Sequence, residues 1–148
     1  QELTDTGYLR RQGKARERTK RLASKPMEFR SSAGLTILVG KNNSQNDRLT
    51  LKDSDKRDLW FHVQKLHGSH VILKTGGGQP DDQSVTEAAM LAAWFSQAKD
   101  SAQVPVDVTP VKVVKKPTGA KPGFVIYNTY NTVYVTPQED LVKKLRVK

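Results

Sequence analysis

One segment, residues 85–99, is apolar on nearly every side of a helix, and this feature constrains the fold most. Its apolar members leave no polar stripe along the segment; they are Val85, Ala88, Ala89, Met90, Leu91, Ala92, Ala93, Trp94, Phe95 and Ala98. A helix with this pattern is covered by protein and not by solvent. Ser84, followed three residues later by Glu87, has the pattern of a capping box, so we predict Ser84 as the N-cap. The rest of the chain must supply a surface broad enough to bury this helix.

Short segments on both sides of the helix predict a sheet that covers it. Apolar and polar residues alternate, or β-branched residues cluster between turn signals, at residues 27–30, 35–39, 59–63, 70–74, 104–114 with a break at Pro110, 124–127 and 132–135. Two further helices are predicted, one over residues 44–51 with Asn42 or Asn43 as N-cap, and one over residues 137–145 with Thr136 as N-cap. We therefore predict an α+β fold with a mostly antiparallel sheet, one long buried helix and short flanking helices.

Alternation along residues 59–63 separates a core face from a second face. The odd-numbered residues are apolar and point to one side, whereas Asp58, Trp60 and His62 point to the other. A carboxylate, an indole and an imidazole fill a core poorly, but they can stack on a nucleobase and bond to its edges. The alternative is that Trp60 lies at the core rim and His62 bonds to the backbone. We predict a partly exposed Trp60 and a core that contains Leu59, Phe61, Val71, Leu73, Leu91, Trp94 and Phe95.

The charge balance favours a polyanionic partner. Lysine and arginine number 25 against 15 acidic residues, which gives a net charge of +10 at pH 7. Nucleic acid is the first candidate, followed by a membrane surface or an acidic protein. Eight of the cations lie between residues 10 and 25, where Glu17 is the single acid. We predict that residues 1–25 form a basic arm and that residues 26–148 form the folded domain.

Two other segments have the residues that phosphate contacts require. Residues 115–123 form a turn-rich loop with three lysines, Lys115, Lys116 and Lys121, and no acid. Gly40 and Lys41 precede Asn42 and Asn43 at the start of a possible helix, where backbone N–H groups can hold an anion. The alternative for both segments is a solvated surface turn.

Several functions are not supported by the residues present. The chain has no cysteine, which excludes disulfides and cysteine-based zinc sites. His62, His67 and His70 match no familiar spacing of metal ligands. Ser69 would not be a nucleophile activated by His70 if the predicted strand begins there, because adjacent strand residues point to opposite faces. We predict no metal, no cofactor and no catalytic residue. No apolar run is long enough for a membrane span, and no signal peptide is visible. Because the chain begins with Gln1, we expect it to be part of a longer protein.

Several of these segments occur together, in the same order, in a known family. They resemble the R domain of NFACT proteins over about residues 1–135, and the motifs are FRSSAG at 29–34, ILVGKNNSQNDRLT at 37–50, DLWFHV at 58–63, GSHVI at 68–72, EAA at 87–89 and KKPTGAKPGFV at 115–125. The family includes bacterial RqcH-type proteins, also described as fibronectin-binding proteins, and eukaryotic ribosome quality-control factors. Residues 132–148 match its pattern weakly.

The resemblance implies a larger cytoplasmic parent, of which residues 1–9 would be the end of a coiled coil. The parent would bind the obstructed large ribosomal subunit and support C-terminal alanine tailing of stalled chains. We expect this part to be a non-enzymatic module that binds rRNA or tRNA, with fibronectin at the cell surface as the alternative partner. The residues predicted to contact RNA are Asp58, Trp60, His62, His70, Lys41, Asn42, Asn43, Lys115, Lys116 and Lys121.

Overall fold

A computed structural model describes residues 25–147 of the chain, so the predicted basic arm lies almost entirely outside the described residues. The strands are β1 (Met27–Arg30), β2 (Thr36–Val39), β3 (Leu59–Val63), β4 (Val71–Leu73), β5 (Val104–Pro110) and β6 (Asn131–Val135). The helices are α1 (Asn43–Arg48), continued by a π-helical segment (Leu49–Asp53), α2 (Asp82–Trp94) and α3 (Glu139–Leu145), with a 3-10 turn at Val111–Val113. The six strands form an antiparallel sheet in the order β1-β2-β4-β3-β5-β6, which confirms the predicted α+β class.

The start of α2 differs from the prediction. Asp81 and not Ser84 is the N-cap, since its carboxylate accepts the backbone N–H of Ser84 at 3.0 Å and so satisfies one free donor of the first turn. Glu87 does not close a capping box. Its carboxylate accepts the backbone N–H of Ser32 at 2.8 Å and the Ser32 hydroxyl at 2.6 Å. Glu87 therefore connects the β1–β2 turn to the buried helix.

The end of α2 also differs from the prediction. The helix ends at Trp94 and not at residue 99, because Phe95 leaves the helical conformation at φ −92° and ψ 47°. The Ser96 hydroxyl then donates to the Ala93 carbonyl at 2.7 Å. The predicted core residues also include Trp94, Phe95 and Leu59, but these three are only partly buried, at the margin of the core. The predicted core positions Phe61, Val71, Leu73 and Leu91 are fully buried.

The sheet carries an apolar core on each face, and this arrangement positions the candidate site. Helix α2 covers the first face, where its alanines lie against Phe61 and Val63 of β3. Trp60 and Ile72 point to the second face and pack there with Leu49, Val111 and Val114. The chain after β5 crosses this second face, so a strand that looks half-exposed in sequence is buried on both sides.

The segment that crosses the second face was predicted in part as a strand at residues 124–127. It does not join the sheet, and its only strand-like pairing in the described part is a bridge between Lys115 and Ile126. Prolines and glycines over residues 117–123 turn the chain between these two residues. Val125 and Tyr127 then pack against the second core. The last helix begins at Glu139 after Gln138, and not after Thr136 as predicted.

Candidate functional site

Four rings on the second face of the sheet form a cluster beneath a surface groove. The Trp60 ring lies 5.6 Å from that of His62 in a stacked arrangement, and it meets the rings of His70 and Tyr127 edge-on at 5.3 and 4.8 Å. Trp60 is 0% exposed. The prediction that Trp60 is exposed for base stacking is therefore wrong, although its predicted face is right. The reason is that the segment after β5 covers it, and alternation within β3 cannot show this.

His70 joins three segments of the chain through hydrogen bonds. Its Nε2–H donates to the Gly123 carbonyl at 3.1 Å, its Nδ1 accepts from the Thr50 hydroxyl at 2.8 Å, and its backbone N–H donates to Asn46 Oδ1 at 3.1 Å. These contacts match a neutral imidazole. Burial, followed by the nearby His62, lowers the pKa of His70 from 6.5 to about 3. His70, predicted to contact RNA, is 1% exposed and stabilises the site from beneath.

His62, like Tyr127, is only partly buried. Its Nδ1–H donates to the Val63 carbonyl at 2.6 Å, in line with the alternative that the sequence left open for this residue. Burial lowers the pKa of His62, and the carbonyls of Val63 and Gly68 oppose that change. A histidine whose pKa lies below 6.5 is mostly neutral at pH 7.

Asp58 was predicted to be an exposed recognition residue, and the prediction that it is exposed is also wrong. The residue is 1% exposed, and its Oδ1 accepts the backbone N–H groups of Thr75 and Gly76 at 3.0 and 2.9 Å. Its Oδ2 accepts the N–H of Asp55 at 3.3 Å and lies 4.0 Å from the Lys74 ammonium. The carboxylate therefore connects the loops that contain Asp55 and Thr75 to the start of β3. The residues beside Asp58 in the sequence do not indicate this role.

A second buried carboxylate, Asp107, was not singled out from the sequence. It lies opposite His62 in the β3–β5 pairing. It accepts from the Tyr127 hydroxyl at 2.6 Å, from Gln64 Nε2 at 3.0 Å and from the Thr132 hydroxyl at 3.1 Å. Burial and the adjacent carboxylate raise the pKa of Tyr127. This network fixes the Tyr127 ring against Trp60. The pairing of β5 with both β3 and β6 brings its other members to Asp107.

The lysine-rich loop, residues 115–125, is fixed against α1. Asp47 Oδ1 accepts the Gly123 N–H at 2.8 Å, and Asp47 Oδ2 lies 3.0 Å from the Lys116 ammonium. Lys116 also donates to the Lys121 and Phe124 carbonyls. Lys116 was predicted to contact phosphate, but its ammonium is already paired within the protein. It orders the loop that presents Lys121.

The other predicted phosphate contacts remain at the surface. Lys41, Asn43, Lys115 and Lys121 are exposed, and no acidic partner is found for these three lysines within residues 25–147. Asn42 is exposed as well, but its Oδ1 accepts the Gln45 N–H at 2.9 Å and caps α1, as predicted. The fold brings Asn43 against Gly123, where a Cβ would lie 2.9 Å from Asn43 Oδ1. The two predicted phosphate-contact segments therefore meet.

The groove above the ring cluster has a cavity volume of about 510 Å³, and we call it the Phe124 groove. The turn after β3 forms one wall, and the lysine-rich loop forms the other. Leu66 on the first wall and Phe124 on the second are 43% and 55% exposed. Lys65 and Lys121 also line it, and none of the lining residues is acidic. The sequence did not single out Phe124 or Leu66, although an aromatic residue that ends a basic loop is a recognisable signal.

We expect Gly40→Ala to destabilise the fold by about 1–3 kcal/mol, because it would leave a buried N–H without a partner. A Cβ at Gly40 would lie 1.9 Å from Asn46 Oδ1, which accepts the His70 N–H. Urea unfolding measures the change. Gly78→Ala is the matched control, since a Cβ there meets only the Thr75 carbonyl at 3.4 Å. Equal losses in the two variants would contradict this role of Gly40.

Neither a metal-ligand cluster nor a membrane-spanning helix is present among residues 25–147. Within residues 25–147, no three histidine, aspartate or glutamate side chains lie close enough to hold a metal ion together. Over the same residues, no helix combines the length and the apolar character that crossing a bilayer requires.

Comparison with known proteins agrees with the motifs at this site. The model of the NFACT protein RNA binding domain matches residues 25–129, which include the ring cluster and both walls of the groove. The chain belongs to this NFACT family. It is 48% identical over 147 residues to the Rqc2 homolog RqcH of Bacillus subtilis and 45% identical over 148 residues to that of Streptococcus suis. Each alignment covers 99% of the chain, and the chain spans about a quarter of those relatives, 25% and 26%.

Solved and more distant relatives extend this comparison. The C-terminal part of the fibronectin/fibrinogen-binding protein of Streptococcus suis has the same fold, with a TM-score of 0.81 and 47% identity. The similarity covers 83% of this chain and 49% of that one. Coiled-coil domain-containing protein 25 of Bos taurus is 28% identical over 120 residues, which is 78% of this chain and 57% of that protein.

Proposed function

We propose that this chain is a non-enzymatic RNA-binding module that holds rRNA or tRNA on the large ribosomal subunit. The longer protein would be a cytoplasmic ribosome quality-control factor that supports C-terminal tailing of stalled chains, and this module would be part of it. The observation that carries the proposal is the meeting of two cationic segments at two adjoining grooves, where Lys41 and Lys121 have no acidic partner in the described part. The match to the RNA binding domain of NFACT proteins supports the same conclusion.

The surface fits a polyanion for electrostatic reasons. The groove that contains Lys41 and the Phe124 groove share Asn43, His67, Gly68 and Gln97 in their linings, so the two grooves adjoin. Lys115 follows at the base of the same loop, where its backbone pairs with Ile126. When such lysines contact phosphates, the counterions that surround the RNA are released. The RNA affinity therefore depends on the salt concentration.

Replacing Lys41, Lys115 and Lys121 together by alanine should weaken binding to all RNAs alike. The slope of log affinity against log salt should fall in magnitude by about 2, since each lost contact to a single strand removes about 0.7. Fluorescence anisotropy with a labelled RNA at four salt concentrations measures this. The control changes Lys52, Lys56 and Lys144, which are also exposed and do not line either groove. An equal fall of the slope in both triple variants would refute a localised interface.

Fibronectin is the second candidate partner. The observation that favours it is the description of the 47% identical Streptococcus suis neighbour as a fibronectin/fibrinogen-binding protein. It would place a fraction of the longer protein at the cell surface. Capture experiments with and without RNase separate the two candidates. If RNase abolishes capture of partners by the chain, RNA is the partner. If the chain binds purified fibronectin after RNase treatment, and the three-lysine variant does not, fibronectin is the partner.

A further inference from the structure

We infer that the Phe124 groove receives a single unpaired nucleobase of the bound RNA, with the flanking phosphates held by Lys65 and Lys121. This inference rests on the proposed RNA binding and adds to it a specific subsite and a preference for single strands. The first ground is shape, since about 510 Å³ lies within the range of pockets that hold small molecules.

The lips of the groove supply apolar contact surface. Phe124 is 55% exposed and Leu66 is 43% exposed on facing walls. Large apolar side chains that remain exposed beside a cavity mark a binding site when polar groups surround them. A planar base can stack on the Phe124 ring, and such stacking tolerates any base because every base has a π-face.

The charge around the lips fits a nucleotide. Lys65 and Lys121 are both exposed, and neither has an acidic partner within the described residues. Lys65 has φ +61°, a left-handed conformation that non-glycine residues rarely adopt. Strained residues of this kind cluster at binding sites, where the surrounding structure holds them in place.

The floor of the groove adds hydrogen-bonding capacity. Trp60 is one of the lining residues, and its buried Nε1–H has no acceptor in the described part of the chain. An unpaired buried donor is costly. Trp60 is 0% exposed, so a ligand acceptor reaches its Nε1–H only when the side chains that cover it move aside. The edge of a nucleobase carries such acceptors on a planar ring that can also stack on Phe124. A peptide carries acceptors in its backbone carbonyls as well. The two lysines at the lips, and not this donor, therefore favour a nucleotide over an uncharged peptide as the occupant.

The test uses Phe124→Ala in the full 148-residue chain. The probes are a twelve-nucleotide oligouridine and an RNA duplex of equal length. Loss of one stacked base should weaken binding to the single strand by about tenfold and leave the duplex affinity unchanged. Phe124→Tyr should restore the affinity. Ile126→Ala is the matched control, because Ile126 is 50% exposed on the same segment but does not line the groove. Leu66→Ala repeats the test on the opposite wall.

Each outcome bears on a distinct claim. An equal or absent loss for both RNAs, with normal effects of the three-lysine variant, refutes the base pocket and leaves the proposed function standing. Failure of the unaltered chain to bind either RNA refutes both. Phe124-dependent binding of an acidic peptide without single-strand RNA binding assigns the groove to a protein partner and also overturns the inference. An unchanged melting temperature for Phe124→Ala confirms that a loss comes from the surface contact.

Discussion

Replacing Trp60 by alanine is expected to lower the free energy of unfolding by about 3–5 kcal/mol, the range for a buried aromatic residue. Trp60 is 0% exposed and touches the rings of His62, His70 and Tyr127. Its removal would leave a cavity at the centre of the second core, which the fixed lysine-rich loop cannot fill. Since small domains are stable by about 5–15 kcal/mol, this is a large part of the total.

Urea unfolding followed by far-ultraviolet circular dichroism measures this loss without relying on tryptophan fluorescence. Trp94→Ala is the matched control, because Trp94 is only partly buried and its ring lies under the Lys99 ammonium at 4.4 Å. We expect the Trp94 change to cost clearly less. A Trp60→Ala variant with unchanged stability and lost RNA affinity would instead show that Trp60 contacts RNA directly.

Trp60 also shows how far local sequence patterns reach. Alternation correctly predicted that Trp60 and Phe61 point to opposite faces of β3, because side chains alternate along any strand. It could not show that a segment more than 50 residues later would cover the Trp60 face. Val111 and Val114, which provide that cover, appeared in the sequence only as part of another predicted strand.

The same limit explains why the roles of the polar residues were difficult to predict. Asn42, one of the two predicted caps of α1, is the N-cap, and its partner Gln45 is only three residues away. Asp47 bonds to Gly123 across 76 residues, and His70 bonds to Gly123 across 53. Such contacts depend on the complete fold. The sequence therefore predicted Lys116 as a phosphate contact, although its ammonium forms an ion pair with Asp47 inside the protein. The segments at residues 27–30 and 35–39, which local patterns define, were predicted as strands, and they form β1 and β2.

The buried histidine gives the fold a specific dependence on pH, and stability should fall below pH 6.5. The pKa of His70 is about 3 in the folded chain and 6.5 in the unfolded chain, so between these values the unfolded chain binds the extra proton. Stability is therefore complete above pH 6.5 and decreases as the pH falls towards 3. At 1.36 kcal/mol per pH unit, His70 accounts for a loss of about 2 kcal/mol between pH 6.5 and 5.

Urea unfolding at several values between pH 5 and 7 would measure this dependence, because that range separates His70 from the carboxylates. The pKa of Asp55 is lowered to about 2, mainly by its hydrogen bonds with Arg57, so the stability linked to it is lost only near and below 3.8. His62 contributes with the same sign, since burial lowers its pKa also.

His70→Gln cannot titrate, and it should reduce the slope of stability against pH by about one proton. The absolute stability of His70→Gln will fall because hydrogen bonds are lost, so the slope is the deciding quantity, and an unaltered slope would show that His70 is not buried in its neutral form.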